Sequence, residues 1–263
     1  MITIKPVITA QEKQHFIDIP KLLYCNDPHW IAPLDIMIRN QLNPKKNPLF
    51  QTLTAQFWIA YDGKRPVGRI SAQINQAHLK HHHPTEGHFG FLEANTLETM
   101  QQLISTAETW LKSQGMTQIL GPFSLSINEE SGLLIDGFNT PPYMMMPHHS
   151  PDYHHWIISL GFIKAKDLLA FTLDLTQPFS KKWDRFIKRA QSTPVQTHTL
   201  NMKDYDQEMD SSFALFNSAW RNNWGFLPFE DTIINHLKTD FKLLLDPHFC
   251  ISATKDNKKV DLY

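Results

Sequence analysis

The chain has 263 residues, of which 41% are hydrophobic and 19% are charged, and its formal net charge is −1. This composition suits a globular protein with one large core or two medium ones, and the near-zero charge argues against a nucleic-acid partner. No apolar run approaches the ~20 residues that cross a bilayer, and the N-terminus lacks the apolar stretch of a signal peptide. Two cysteines are too few for a disulfide framework. We therefore predict a cytoplasmic protein.

Hydrophobic periodicity and turn residues predict the elements of a first unit. Phe57, Ile59 and Tyr61 recur at every second position before a polar turn, which indicates the first strand of a hairpin. Asn95 and Gly115 flank an apolar stripe at helical spacing, as an N-cap and a C-cap residue would. In chain order, we predict a strand over 2–7, helices over 12–24 and 31–42, strands over 57–61, 66–71 and 88–93, a helix over 95–115, a strand over 118–123, a helix over 150–161 and a strand over 168–175.

The order of elements then begins again after a basic amphipathic helix over 181–190. We predict a strand over 195–200, helices over 206–220 and 229–241, and a hairpin over 249–260. The domain prediction is a complete unit over 1–177, a helical linker over 178–194 and a partial second unit over 195–263. Because the sequence stops after a third strand, we expect a C-terminally truncated unit. Its uncovered strand edge, 249–263, is expected to self-associate or to dock on the first unit.

The element order and several local motifs resemble the GNAT (GCN5-related N-acyltransferase) fold. The motifs are Arg69, Gly121-Pro122-Phe123-Ser124, residues 128–138, Pro141-Pro142, Met145-Met146-Pro147, residues 161–168 and Asn223-Trp224-Gly225-Phe226. Together they resemble a family of bacterial double-GNAT proteins that is similar to the bacterial ceramide synthases, which acylate a sphingoid amine with an acyl-CoA. The resemblance implies an α/β (α+β) fold with a mixed central sheet flanked by helices, followed by an incomplete second GNAT-like unit. It also implies an acyl-CoA-dependent N-acyltransferase with a primary amine as acceptor, such as a lipid amine.

The turn that holds acyl-CoA in GNAT proteins is altered in this sequence. In that fold the pyrophosphate rests on backbone N–H groups of a glycine-rich turn at the start of the helix after strand four. Here the turn is Glu93-Ala94-Asn95-Thr96, which has no glycine and carries a carboxylate. We therefore predict that binding of acyl-CoA as co-substrate is weak or absent, and the cofactor-binding residues stay unassigned.

Three carboxylates are the candidate catalytic groups. The loop after the fifth strand faces the acceptor in a GNAT domain, and the end of strand four carries the base in many members, so the resemblance implies Glu129, Glu130 or Glu93 as proton acceptor. Burial would have to raise the pKa of that carboxyl toward neutrality. The substrate-binding candidates are Asn128, Asp136, Tyr143, Asn223, Trp224 and Phe226. The competing interpretation is that these loop carboxylates cap turns or are solvated.

Histidines are numerous, but their spacing does not predict a metal site. His78, the run 81–83 and His88, like the pairs 148–149 and 154–155, show no paired spacing with carboxylate or cysteine ligands. A run of three histidines in a polar loop is typical of a solvated segment. We therefore predict no metal ion and no permanently bound cofactor.

Two functional hypotheses from different classes remain open. The first is the N-acyltransferase, and the alternative is a catalytically inactive, truncated GNAT-like binding protein. One interpretation of the basic helix over 181–190 is peripheral contact with an anionic membrane surface, which would suit a lipid substrate. The competing interpretation of this helix is a solvated basic face with its aromatic side packed.

Overall fold

The computed structural model describes residues 1–176, 178, 181–255 and 258–259. The chain divides into two units, Met1–Leu168 and Leu169–Tyr263, and each is described by itself. The strands of the first unit are β1 (Ile2–Pro6), β2 (Leu53–Asp62), β3 (Arg65–Asn75), β4 (Glu86–Ala94) and β5 (Gln118–Leu120). Its helices are α1 (Ala10–Leu23), α2 (Asp35–Gln41), α3 (Gln76–His81), α4 (Leu97–Ser113) and α5 (Asp152–Ser159).

The first unit is built on a mixed five-stranded sheet in the order β1-β2-β3-β4-β5. Strands β1 to β4 pair antiparallel and β5 pairs parallel to β4. Helix α4 packs its apolar side, including Met100, Leu103 and Leu111, into the main core. The predicted α/β class with a mixed central sheet and flanking helices is confirmed, as is the hairpin of β2 and β3.

Side-chain capping fixes where the two longest helices of this unit begin. Thr9 and Glu12 form a capping box on α1, in which Thr9 Oγ1 accepts from Glu12 N and Glu12 Oε2 accepts from Thr9 N. The N-cap of α4 is Thr96, whose Oγ1 accepts from the backbone N–H of Thr99. The predicted cap Asn95 is therefore wrong by one residue, because its Oδ1 accepts from the Thr99 hydroxyl instead.

The central strand β4 separates from β5 after a short pairing. The parallel pairing covers only Glu86–His88 of β4 and Gln118–Leu120 of β5. The register of β4 against β3 shifts between Arg69 and Ser71 of β3, and Phe91 of β4 has a positive φ of 47°. Such a bulge bends a strand and re-aims its side chains. The last residues of β4 therefore lie beyond β5, next to an open cleft.

Two sequence predictions near β5 are wrong. The strand predicted over 118–123 ends at Leu120, before Pro122, which has no N–H to donate to a ladder. The final strand predicted over 168–175 does not form, and its apolar side chains are exposed. Residues 168–175 form no strand, although the alternating pattern is present in the sequence.

The second unit contains a small antiparallel sheet with helices. Its strands are β6 (Gln196–Thr199), β7 (Ile251–Lys255) and β8 (Lys258–Lys259), in the order β6-β7-β8. Its helices are α6 (Lys181–Gln191), α7 (Tyr205–Trp220) and α8 (Asp231–Leu244). The predicted hairpin thus forms as β7 and β8, but it starts at Ile251, because 247–249 form a short 3₁₀ turn. Its predicted end at Val260 and the edge residues 261–263 lie outside the described residues.

Helix α6 presents its aromatic side chains to solvent. Trp183, Phe186 and Ile187 are all exposed, so the interpretation with a packed aromatic side is wrong. Across the described residues, we find no helix with the length and apolarity needed to span a bilayer.

Candidate active site

The candidate site is centred on Glu93, near the end of β4. Its side chain is buried, with 6% of the residue exposed. The hydroxyl of Tyr24, at the C-terminal end of α1, donates to Glu93 Oε2 at 2.6 Å. The hydroxyl of Tyr153 on α5 lies 3.1 Å from the same oxygen. Tyrosines from two helices therefore hold one carboxyl group at the point where β4 has left β5.

The Tyr153 hydroxyl also serves the main chain of β4. It accepts from the backbone N–H of Ala94 at 2.7 Å, and it lies 2.9 Å from the Ala94 carbonyl oxygen. A phenol has one hydrogen, so it cannot donate to the Ala94 oxygen and to Glu93 at once. When Tyr153 donates to Ala94, the short contact with Glu93 requires a proton on the carboxyl. The protonation of Glu93 and the orientation of the Tyr153 hydrogen are therefore linked.

Burial raises the pKa of Glu93 to about 7. Three features oppose this effect by favouring the carboxylate: the guanidinium of Arg69, whose Nη2 lies 3.8 Å from Glu93 Oε1, and the hydrogen bonds with Tyr24 and Tyr153. Arg69 is itself held in place, since its Nη1 donates to the carbonyl of Phe16 and its guanidinium lies over the rings of Phe16 and Phe91. A carboxyl with a pKa about 7 exchanges its proton readily at neutral pH.

The loop after β5 carries the other two candidate carboxylates. Burial raises the pKa of Glu129 to about 7, while the Gln41 amide, which donates to Glu129 Oε2 at 3.0 Å, acts in the opposite direction. The Glu130 residue is partly exposed to solvent, but it lines the small cavity beside Glu93, and burial raises the pKa of its carboxyl. Its backbone oxygen accepts from Ser124 N at 2.8 Å. The loop is thus fixed by its own main chain.

Two spaces lie next to Glu93. A small cavity of about 10 Å³, room for about one water molecule, is lined by Arg69, Glu93, Glu130 and His149 among others. Burial lowers the pKa of His149 to about 3, so this imidazole is neutral. A larger open cleft of about 380 Å³ is lined by residues that include Tyr24 and Tyr153. The two tyrosines therefore line the cleft with one side and hold Glu93 with their hydroxyls.

Two known proteins are similar in sequence to most of this chain. It is 38% identical to a bacterial ceramide synthase of Caulobacter vibrioides over 250 residues, which are 93% of this chain and 64% of that protein. It is 40% identical to protein YghO of Escherichia coli over 230 residues, which are 87% of this chain and 58% of that protein. The chain is a homologue of a bacterial ceramide synthase. The predicted similarity to these synthases is confirmed.

The matches also have limits in length and in structure. The chain spans less than two thirds of the length of both relatives. No protein-family model matches it. A solved structure that it resembles is an aminoglycoside 6'-N-acetyltransferase from Acinetobacter haemolyticus, with 14% identity and a TM-score of 0.41, covering 66% of this chain and 99% of that one.

The structure brings some of the predicted site residues together. Glu93 and Glu130 line the same small cavity, and Glu129 and the half-buried Asn128 precede Glu130 in the loop. Asp136 and Tyr143 lie on exposed parts of that loop: Asp136 accepts from the N–H of Gly137, and Tyr143 is 73% exposed.

The other three substrate-binding candidates lie in the second unit. Asn223, Trp224 and Phe226 follow α7, and Phe226 is buried against Phe216, with ring centroids 5.7 Å apart. Burial against Phe216 gives Phe226 a packing role in that unit. The roles predicted for all six substrate-binding candidates stay predictions.

The sequence analysis missed both tyrosines of the site. Tyr24 and Tyr153 stand 69 and 60 positions from Glu93, so no local pattern links them to it. Each occurs in an apolar helical pattern, where an aromatic ring indicates core packing. A tyrosine in such a pattern carries a hydroxyl that needs a partner when buried, and this is the one signal that was present.

The reason given for weak acyl-CoA binding also needs correction. We expected Glu93 to place a carboxylate charge beside the phosphate position. Its carboxyl instead bonds to Tyr24 and Tyr153 inside the protein. The turn still lacks glycine. Weak binding of acyl-CoA stays a prediction, and it now depends on the missing glycine and not on the charge of Glu93.

Proposed function

We propose that this chain acts as an acyl-CoA-dependent N-acyltransferase whose acceptor is a primary amine of a lipid, of the sphingoid type. The observation that carries the proposal is the buried Glu93 carboxyl, whose pKa is raised to about 7 and which two tyrosines connect to an open cleft. Identity of 38% to a protein named as a bacterial ceramide synthase supports the acceptor class. Acyl-CoA would be a co-substrate that is consumed in each turnover, after which CoA leaves.

Glu93 is proposed as the proton acceptor. The amine nitrogen attacks the thioester carbonyl, the C–N bond forms, and the C–S bond then breaks to release the CoA thiolate. The attacking nitrogen loses one proton, which passes by way of the Tyr24 hydroxyl to Glu93. Glu93 then gives up this proton to the CoA thiolate, so that the thiol leaves and the carboxylate is regenerated. Tyr24 suits this relay because it lines the cleft and lies 2.6 Å from Glu93. General-base catalysis of this kind contributes ~10²–10⁴ in rate.

The remaining candidates take supporting roles in this proposal. Glu129 and Glu130 lie on the loop beside the site, and Glu129 is the second candidate base because its pKa is also raised to about 7. Asn128, Asp136 and Tyr143 would bind the acceptor from the same loop.

Helix α6 supports a lipid acceptor. Trp183, Phe186 and Ile187 occur at helical spacing, and all three are exposed. The same helix carries the cations Lys181, Lys182, Arg185, Lys188 and Arg189. An exposed helix with aromatic and cationic residues binds anionic lipid surfaces by apolar insertion and charge attraction. We propose that it brings the chain to the membrane that holds the acceptor, and that the exposed apolar side chains are the contact.

The test is an acylation assay with the full chain. A long-chain acyl-CoA and sphinganine in mixed vesicles are incubated with the protein, and the N-acyl product is quantified by mass spectrometry. We expect Glu93→Gln to lower kcat by ~10²–10⁴ with KM little changed. The matched control is Glu98→Gln on the exposed first turn of α4, which should keep wild-type turnover.

The outcomes separate the two hypotheses. Full activity in Glu93→Gln would exclude this carboxyl as the base. If the wild-type chain binds acyl-CoA or vesicles but forms no product, the alternative of a catalytically inactive binding protein is supported. Vesicle co-sedimentation of Phe186→Ser against wild type tests the membrane contact separately, because that substitution leaves Glu93 untouched.

A further inference from the structure

A second cluster of titratable side chains lies at the other end of β4. His78 belongs to α3, the short helix between β3 and β4, and Glu86 and His88 belong to the start of β4. Because side chains two positions apart on a strand share a face, Glu86 and His88 point the same way. Asn75 caps α3 by accepting from Ala77 N, which fixes the helix that presents His78. Three ligand-type side chains from two elements therefore converge.

The cluster is compact and buried. His78 Nε2 lies 2.8 Å from Glu86 Oε1, and His88 Nε2 lies 3.8 Å from the same oxygen. One ligand atom from each residue lies within 4.8 Å of the other two. The two histidines are 5% and 2% exposed. These groups are held close together inside the protein, unlike the exposed run of histidines that follows α3.

One atom of the cluster lacks a partner. Among the residues that the structure describes, buried His88 Nε2 makes no hydrogen bond. It faces Glu86, whose nearer oxygen already bonds His78. Buried polar atoms are almost always paired, and an orphaned one needs an explanation such as an ion. A cation between the three side chains would give Nε2 of His88 a ligand role.

We propose that His78, Glu86 and His88 bind one divalent transition-metal ion, with Zn²⁺ as the best-fitting ion. Two imidazoles and one carboxylate are a common zinc donor set, whereas Mg²⁺ and Ca²⁺ prefer oxygen ligands alone. With Zn²⁺ bonds of about 2.1 Å, tetrahedral ligand atoms lie about 3.4 Å apart. The observed separations of 2.8 and 3.8 Å lie on either side of this value, so small side-chain rotations suffice. This site contradicts our expectation from sequence that no metal binds.

The ion would have a structural role, because its site lies at the opposite end of β4 from Glu93. The ring of His88 packs edge-on against Phe123, with centroids 5.1 Å apart. The carbonyl of Phe123 accepts from the Gln73 side chain at 2.6 Å, and Phe123 precedes the loop that carries Glu129. Metal binding would thus link α3 and β4 to the start of the loop that carries Glu129.

The test uses Zn²⁺ alone with the full chain. Chelator-treated protein is titrated with Zn²⁺ in competition with a chromophoric chelator, and unfolding is followed with and without the ion. We expect one tight equivalent and a Tm increase of roughly 5–10 °C at a hundredfold excess over Kd. His88→Gln should weaken binding by at least ~100-fold, since even outer-shell changes cost 10–100-fold. A matched control, His81→Asn with His83→Asn, alters only exposed histidines and should bind like wild type.

A measurement on the wild-type protein guards against a variant that fails to fold. X-ray absorption of the chain with one equivalent of Zn²⁺ should show two imidazole ligands and oxygen ligation. Absence of a tight equivalent would overturn the proposal. So would binding that survives His88→Gln and disappears in the double control variant, because the exposed run would then be the ligand. None of these readouts depends on acyl transfer.

Discussion

Replacing Glu93 by Gln should change how the stability of the chain depends on pH. Glu93 has a pKa of about 7 in the folded protein and a reference value of 4.5, so the folded state binds its proton more tightly than the unfolded state does. Stability is then highest when the pH is low enough to protonate the folded carboxyl, and it falls as the pH rises from about 4.5 to about 7. Gln has the same shape and no proton to lose.

The size of this pH effect on stability follows from the pKa shift of Glu93. A difference of about 2.5 pKa units at 1.36 kcal/mol per unit is a penalty of about 3 kcal/mol when Glu93 is fully ionised. Between pH 5 and pH 8, the stability of Glu93→Gln relative to wild type should therefore rise by about 2–3 kcal/mol. Contributions from other groups, such as Glu129, are present in both proteins and cancel in the comparison.

Urea unfolding measures this difference. The free energy of unfolding is determined at pH 5 and at pH 8 for wild type, Glu93→Gln and the control Glu98→Gln, with tryptophan fluorescence as the probe. Four of the seven tryptophans belong to the first unit. The free energies of unfolding of wild type and Glu93→Gln could instead differ by the same amount at both pH values. That result would show that the buried carboxyl is not held in its neutral form, and the argument for Glu93 as a base would fail.

Three further predictions concern the same region. The value of kcat/KM should rise with pH through about 7, as Glu93 loses its proton and becomes a base, and the rise should be absent from a pH profile of Glu93→Gln. Tyr153→Phe should cost about 1–3 kcal/mol in urea unfolding, because the buried N–H of Ala94 loses its acceptor. Gly90→Ala should lower stability by about 3 kcal/mol in the same assay, because its Cβ would collide with the Phe123 carbonyl, which belongs to the main chain and cannot rotate away.

Local patterns were enough to predict much of the sheet but little of the site. The hairpin of β2 and β3 follows from a two-residue period and the Asp62-Gly63 turn, and α4 follows from its apolar stripe. The strand expected over 168–175 has the right pattern, but a strand forms only where another strand pairs with it, and the local sequence does not specify that partner.

Glu93 shows why the site was harder to predict than the fold. Its position at a strand end was recognised, but its chemistry depends on burial and on hydroxyls from distant helices. The resemblance named Glu93, Glu129 and Glu130 as candidate bases, and their catalytic roles stay predictions. The pKa of Glu93 depends on contacts between residues that are far apart in the sequence, and a single sequence does not reveal those contacts.

The distance along the chain between the parts of the cleft has a consequence for folding kinetics. The β2–β3 hairpin closes through a two-residue turn, whereas the contact between Tyr153 and Glu93 must close a loop of 60 residues. Longer closures cost more entropy, so contacts of this kind tend to form after the rate-limiting step. Removing the Tyr153 hydroxyl should then accelerate unfolding and leave the refolding rate nearly unchanged. On this view the β2–β3 hairpin forms early, and the contact of Tyr153 with Glu93 is completed on the native side of the barrier.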